Sequence, residues 1–240
     1  TGLLNRRGLL EALQRRRRAA GGAAATELAA LDLDGFKGVN DTLGHDAGDA
    51  VLSHVAALLR ARAGPEALVA RLGGDEFVLA RIGPAAASAP ALAAASAPAL
   101  AVAPAPAPAP DLAAVCEAVV ADLRRPIPIR GGEVRVGVSA GLARCEAGAD
   151  AAPEGLMVDA DIALYEAKRV GKGRVTRFDA GLRRRMIDSK TLADDIARGL
   201  EADEFVPFFQ TQRCARTGAV LGVEALVRWR HPRLGLLAPN

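Results

Sequence analysis

Two short apolar runs, Ala67–Leu72 and Phe77–Ile82, are separated by Gly73-Gly74-Asp75-Glu76. A Gly-containing tetrad between apolar runs signals a β-hairpin, so this chain is expected to hold an antiparallel strand pair with two carboxylates in its turn. Glu27–Leu33 reads as another strand, delivering Asp32 and Asp34 at its carboxyl end. Glu133–Leu142 alternates, with Val134, Val136, Val138, Ala140 and Leu142 on one side, as a half-buried strand should. Helical spacing marks Leu9 to Arg18, residues 46–62, Asp111–Leu123 and Leu156–Val170, and Arg174–Phe178 reads as a short strand. The order helix, strand, helix, hairpin, helix, strand, helix, strand predicts an α/β (α+β) sandwich of the ferredoxin-like kind, a mainly antiparallel sheet with helices packed on it.

Two segments stand outside this pattern. Residues 84–110 are almost entirely Ala and Pro, and alternating Pro continues neither a helix nor a sheet ladder. An extended surface insertion is expected there. Residues 180–203 read as a connecting helix to a second unit that begins near Glu204 and runs to residue 240.

Composition narrows the classes. With 50% hydrophobic residues over 240 positions there is ample material for a core, enough for one full domain and part of another. A formal charge of +3 and a pI near 9.0 suit the handling of anionic phosphates but do not call for nucleic acid. Cys116, Cys145 and Cys214 are odd in number and widely spaced, so neither a zinc site nor a disulfide framework is expected; buried thiols in a reducing, cytoplasmic setting are. No apolar run is long enough to span a bilayer. The chain opens without Met and reads as a piece of a longer protein, with a sensor or membrane anchor expected upstream.

The chemistry lies in the acidic residues. If Asp32-Leu33-Asp34 lies beside the Asp75-Glu76 turn, several carboxylates converge, a cluster that is costly unless cations neutralise it. Oxygen ligands without His or Cys favour Mg²⁺ or Mn²⁺ over zinc. The Gly73-Gly74 pair admits a close approach of backbone to ligand. Asn40 and Asp49 could read a guanine edge, although a turn or cap role for Asn40 and a surface position for Asp49 are also open. His45 can cap, pack or face a nucleotide. Lys168 and Lys172 are four apart on one helix face and could hold a triphosphate or simply be solvated.

These residues stand in a recognisable order. Arg71-Leu72-Gly73-Gly74-Asp75-Glu76-Phe77, Leu31-Asp32-Leu33-Asp34-Gly35-Phe36-Lys37, Asn40-Asp41, Gly44-His45, Gly48-Asp49, Val138-Ser139-Ala140-Gly141 and Asp161-to-Lys168 with Gly171-Lys172 resemble the blocks of the GGDEF family over residues 1–179. The resemblance implies a palm-like nucleotidyl-cyclase fold and diguanylate cyclase activity. By resemblance, Asp32, the Leu33 carbonyl and Asp75 bind Mg²⁺ or Mn²⁺, and Glu76 assists metal binding or takes the proton of the attacking hydroxyl. Asn40 and Asp49 contact the guanine, His45 is among the GTP-binding positions, Phe36, Lys37, Gly73 and Gly74 line the phosphate pocket, and Lys168 and Lys172 hold phosphates. The family's Arg-x-x-Asp inhibitory motif is replaced by Gly64 and Ala67, which implies weak product feedback. Further on, Phe208-Phe209-Gln210-Thr211-Gln212 and Gly222-to-Pro232 resemble the opening of an EAL phosphodiesterase domain, a TIM-barrel-like fold, with Gln210, Glu224 and Arg228 in its site positions.

The activity implied is condensation of two GTP into cyclic di-GMP by a homodimer. A GTP-binding regulatory domain of a cyclic di-GMP phosphodiesterase is the alternative, ahead of a scaffold without nucleotide and of a cyclase acting on ATP.

Overall fold

A computed structural model describes residues 1–20, 24–84, 111–148 and 152–239. The Ala/Pro insertion read at 84–110 lies, from residue 85 on, outside the described residues. The chain divides into two compact units, Thr1–Arg183 and Arg184–Asn240.

The first unit runs α1 (Arg6–Ala19), β1 (Ala24–Asp34), α2 (Phe36–Leu43), α3 (His45–Ala63), β2 (Leu68–Gly73), β3 (Glu76–Pro84), α4 (Leu112–Asp122), β4 (Ile127–Ile129), β5 (Gly132–Val134), β6 (Gly137–Cys145), α5 (Pro153–Arg169) and β7 (Val175–Arg177). Its five-stranded sheet has the order β2-β3-β1-β6-β7. β1 is central and antiparallel to both β3 and β6, and only β6–β7 is parallel. The mainly antiparallel sandwich read from the sequence is the fold observed.

Alternation along β1 assigns each residue to one of two layers. Ala29, Leu31 and Leu33 enter a core shared with α2, α3 and α4, while Leu28 and Ala30 enter a second core shared with α1 and α5. A strand buried on both faces must sit where helices cover both sides of the sheet. Local signals support each helix: the Asn5 side chain accepts from Gly8 N–H at the start of α1, Arg16, Arg17 and Arg18 lie in its last turn, and Pro153 occupies the first turn of α5.

Three details differ from the sequence reading. Residues 36–43 form a helix that apolar spacing did not mark, because only Phe36 and Val39 of its eight residues are buried. The strand read as Glu133–Leu142 is two strands, β5 and β6, and β5 pairs with β4 in a small hairpin of its own. β6 is also not half-buried: Val138, Ala140 and Leu142 face one core, while Ser139, Gly141 and Ala143 are buried on the other face. The reason is α5, which lies directly on β6. A Cβ at Gly141 would sit 2.1 Å from both Ala160 O and Leu164 N. With Ala160, Ala163 and Ala167 wholly buried, the helix approaches as closely as small residues permit.

The second unit carries most of α6 (Ala180–Glu201), then β8 (Phe205–Arg213), β9 (Val220–His231) and β10 (Gly235–Leu237) in the order β10-β9-β8. Trp229 stacks on Phe205 at 5.1 Å and donates from Nε1 to Glu204 at 2.8 Å. A Cβ at Gly199 would lie 2.8 Å from that same Nε1, so α6 is seated on the indole. Asp195 accepts from His231 Nε2 at 3.1 Å, from Arg233 at 2.8 Å and from Arg198. Arg233 N–H and Leu234 N–H donate to His231 Nδ1, which leaves the proton on Nε2. Among the described residues no helix is long and apolar enough to cross a membrane.

Candidate functional site

The carboxyl end of β1, the amino ends of β3 and β6, and the end of α5 meet at one edge of the sheet. Asp32 is the register partner of Glu76 on β3 and of Ser139 on β6. Leu33 N–H donates to Asp75 O at 3.3 Å, which fixes the Gly-Gly-Asp-Glu turn beside the end of β1. Gly74 stands at φ +46°, a conformation that glycine adopts without the Cβ penalty. Arg71 fastens the turn by donating from Nε and Nη2 to Gly74 O at 3.0 and 2.7 Å. It was not among the site residues expected, and its signal is its place two residues before the glycine pair.

Lys168, near the end of α5, puts Nζ 2.7 Å from Asp32 Oδ2. Burial pushes the Asp32 carboxyl above its ordinary range, Lys168 pulls it back, and the nearby charges of Asp75 and Asp34 raise it further. The net upward direction is the mark of burial, which disfavours the charged form more than Lys168 favours it. A cation beside it would favour the ionised form.

The expected gathering of carboxylates needs correcting in one respect. Asp32 and Asp75 lie within electrostatic reach of each other, but Asp34 is committed to Ser139 and Gly173, and Glu76 is exposed. Among the described residues no group of three or more His, Cys, Asp or Glu side chains forms a ready-made cage for an ion. What the edge offers is an oxygen-only set, the carboxylates of Asp32 and Asp75 with the Leu33 carbonyl between them in the chain. Such hard donors suit Mg²⁺, which keeps waters and substrate oxygens in the rest of its shell.

α2 and α3 follow β1 directly and carry the residues expected to meet the base. A Cβ on Gly48 would lie 1.9 Å from Asn40 Oδ1 and 3.2 Å from Phe36 Cζ, so the bare glycine is the seat on which the Asn40 amide rests. Asp49 is the next residue, exposed, and His45 is exposed at the start of α3. The α2–α3 crossing thereby sets Asn40 against Gly48, the residue before Asp49. The Phe36 ring is buried in the core, so what this residue offers a phosphate is its backbone N–H in the first turn of α2, beside that of exposed Lys37. Lys172 lies in the turn after α5 at φ +57°, its side chain exposed. Gly73 and Gly74 are exposed at the turn.

In the second unit, Gln210 and Glu224 are direct register partners across β8 and β9. Arg228 lies on the same face at the next-but-one alternate position, its guanidinium 5.8 Å from the Phe208 ring.

A sheet whose central strand offers an acidic residue to a helix lysine, beside a Gly-Gly-Asp-Glu turn, defines a diguanylate-cyclase-type domain. The chain belongs to the GGDEF family: the family model described as "Diguanylate cyclase, GGDEF domain" matches residues 1–106 and 99–174. The model of the EAL domain matches residues 193–240. Over 210 residues the chain is 36% identical to the bifunctional diguanylate cyclase/cyclic di-GMP phosphodiesterase MucR of Pseudomonas aeruginosa, covering 88% of this chain but only 27% of MucR. It thus spans about a quarter of that relative's length. Among solved structures, the GGDEF domain of TpbB (YfiN) from Pseudomonas aeruginosa matches with a TM-score of 0.62 and 31% identity, over 78% of this chain and 96% of that one. The coiled coil and GGDEF domain of DgcB from Caulobacter crescentus, in complex with c-di-GMP, matches with a TM-score of 0.58 and 31% identity, over 74% and 82% of the two chains. The family is that of cyclic di-GMP signalling, and its diguanylate cyclases generally use divalent metal ions.

Proposed function

We propose that the first unit condenses two molecules of GTP into cyclic di-GMP with release of two diphosphates. The observation that carries this reading is the convergence of Asp32, Lys168 and the Asp75-Glu76 turn at one sheet edge. Each protomer binds one GTP, and two protomers meet face to face so that the 3′-hydroxyl of one nucleotide addresses the α-phosphorus of the other. The new 3′-O–P bond forms as the bond from the α-phosphorus to the bridging oxygen breaks, and the diphosphate leaves with that oxygen. Mg²⁺ or Mn²⁺ held by Asp32, Asp75 and the Leu33 carbonyl supplies charge neutralisation for the phosphoryl group and the leaving diphosphate.

The protein's own groups do the rest. Lys168 exchanges its Asp32 contact for phosphate oxygens, and Lys172 joins it. Glu76, exposed opposite Asp32, is placed to accept the proton of the hydroxyl. Asn40 and Asp49 hold the guanine edge, an amide beside a carboxylate that can accept from the ring N–H and the amino group. His45, Lys37 and the backbone at Phe36, Gly73 and Gly74 complete the pocket. Gly64 caps the end of α3 and Ala67 packs against the core, so neither offers an ionic contact to product, and feedback is weak.

A second reading draws on the EAL match at residues 193–240 and on NbdA of Pseudomonas aeruginosa, 29% identical and named as a cyclic di-GMP phosphodiesterase: the domain binds GTP and regulates a phosphodiesterase. Incubating the chain with GTP and Mg²⁺ separates the two. Cyclic di-GMP and diphosphate should accumulate at a rate that rises with the square of protein concentration while dimers are scarce. GTP binding without product, in a chain shown to be dimeric, would replace cyclisation by regulation.

A further inference from the structure

Two polar groups at the edge of the site have no task in the proposed reaction. Ser139 is fully buried within β6, and Asp34 ends β1 two residues beyond Asp32. A buried hydroxyl or carboxylate persists only where hydrogen bonds replace water. Here they bind each other: Ser139 Oγ lies 2.9 and 3.1 Å from the two Asp34 carboxylate oxygens. Gly173 N–H then donates to both, 3.1 Å from Asp34 Oδ2 and 3.1 Å from Ser139 Oγ.

Gly173 belongs to the turn that joins α5 to β7. Its backbone is unusual, with Gly171 at φ +126°, Lys172 at +57° and Gly173 at +57°. A lysine rarely enters the left-handed region unless its surroundings hold it there. On the helix side, Lys172 N–H donates to Ala167 O at 3.0 Å, a Schellman-type closure. On the strand side, Ala140 N–H donates to Arg174 O at 2.9 Å. Between these ends the turn is tied to the sheet by Asp34 and Ser139.

We propose that Asp34 and Ser139 are positioning residues: a clamp between a half-buried carboxylate and a buried hydroxyl that holds the Lys172–Gly173 turn and so presents Lys172, with Lys168 one helical turn before it, to substrate phosphates. The proposal rests on the reading of those two lysines as phosphate contacts. It accounts for the orientation of Asp34, whose oxygens face Ser139 and Gly173 while Asp32 meets Lys168.

The test uses the whole chain with Asp34→Ala, Ser139→Ala and Asp34→Asn, read by amide hydrogen exchange and by GTP binding in Mg²⁺. Either alanine variant should speed exchange at Gly173 and weaken GTP binding by about tenfold, the scale of one lost hydrogen bond to a charged group. Amides inside β1 and β6, such as Leu31 and Leu142, should keep their protection. Asp34→Asn retains an acceptor oxygen for Gly173 and should recover most of both effects. Unchanged protection at Gly173 overturns the clamp, and so does undiminished GTP affinity once that amide is deprotected. Loss of Mg²⁺ binding in Asp34→Asn as severe as in Asp32→Asn would make Asp34 a metal ligand and also overturn it. Should the unaltered chain fail to bind GTP, the cyclase reading falls, while exchange at Gly173 still decides whether the clamp holds the turn.

Discussion

The two units treat their acidic motifs in opposite ways. In the first, Asp32 and Asp34 emerge from a strand buried on both faces, and each meets partners from other elements: Lys168 for one, Ser139 and Gly173 for the other. In the second, Glu224 and Gln210 face each other across a two-strand ladder whose residues are mostly exposed, Phe209 at 68% and Leu221 at 72% among them. Only its far end, at Trp229 and His231, is buried against α6. Residue identity is therefore not yet a site. The first unit has the surrounding layers that bring charges together at its motif; in the second, among the described residues, charges gather at Asp195 with His231 and Arg233 rather than at Glu224.

The largest expected effect breaks or upholds that contrast directly. Asp75→Ala should lower cyclic di-GMP synthesis by about 100-fold or more, as for loss of one preorganised electrostatic group, whereas Glu224→Ala should leave it unchanged. Equal losses in both, measured as product formed from GTP, would erase the distinction. Gly141→Ala comes next: with backbone atoms of α5 at 2.1 Å, the added methyl cannot be absorbed by a side chain. Urea unfolding should show a loss of roughly 3 kcal/mol, the upper part of the range for overpacking. Synthesis should fall as well, since α5 carries Lys168. Gly48→Ala is gentler on the fold but displaces the Asn40 amide, and it should raise KM for GTP by about tenfold, the scale of a small misplacement of a binding group. Were KM unmoved, Asn40 would not be a base contact.

Two smaller effects probe burial itself. Burial pushes the Cys116 thiol up to about 12, whereas hydrogen bonds around Thr217 lower that of partly exposed Cys214. Mass spectrometry after brief alkylation at pH 8 should therefore find Cys214 modified and Cys116 intact. Asp195 gives the acid limit of the second unit. Burial raises its carboxyl, but the hydrogen bonds of His231 and Arg233 and the charges of Arg198 and Arg233 outweigh this and hold it below its ordinary range. A group depressed in the folded state adds stability above its unfolded value and loses it as pH falls through the folded one. Stability of this unit should thus hold down to about pH 4 and decline below it, and Asp195→Asn should remove that acid-dependent part.

How far the sequence foretells all this depends on what each element shows to its neighbours. The Gly73–Glu76 hairpin, β1 and the long helices were legible because their apolar spacing is regular and their turns carry glycine. α2 was not, since two buried positions in eight residues make no stripe, and β4 and β5 are too short to display a period. Ser139 carries no task in the sequence pattern, because a serine in an alternating strand reads as solvent-facing. A signal was nevertheless present: the positions opposite the valines change from Glu133 and Arg135 to Gly137, Ser139, Gly141 and Ala143. Charge giving way to small residues marks where the strand passes from water to beneath a helix. The distinct duties of Asp32 and Asp34, by contrast, depend on tertiary partners more than 100 positions away, which no local pattern encodes.

Asp75 and Glu76 stand in a turn, one half-buried and one exposed, while Leu31, Leu33 and Phe77 behind them anchor the core. Exchanging either carboxylate would therefore cost the domain little of its architecture. Shape and the proposed chemistry are thus separable by one codon change, and a silent nucleotide receptor would keep the same fold.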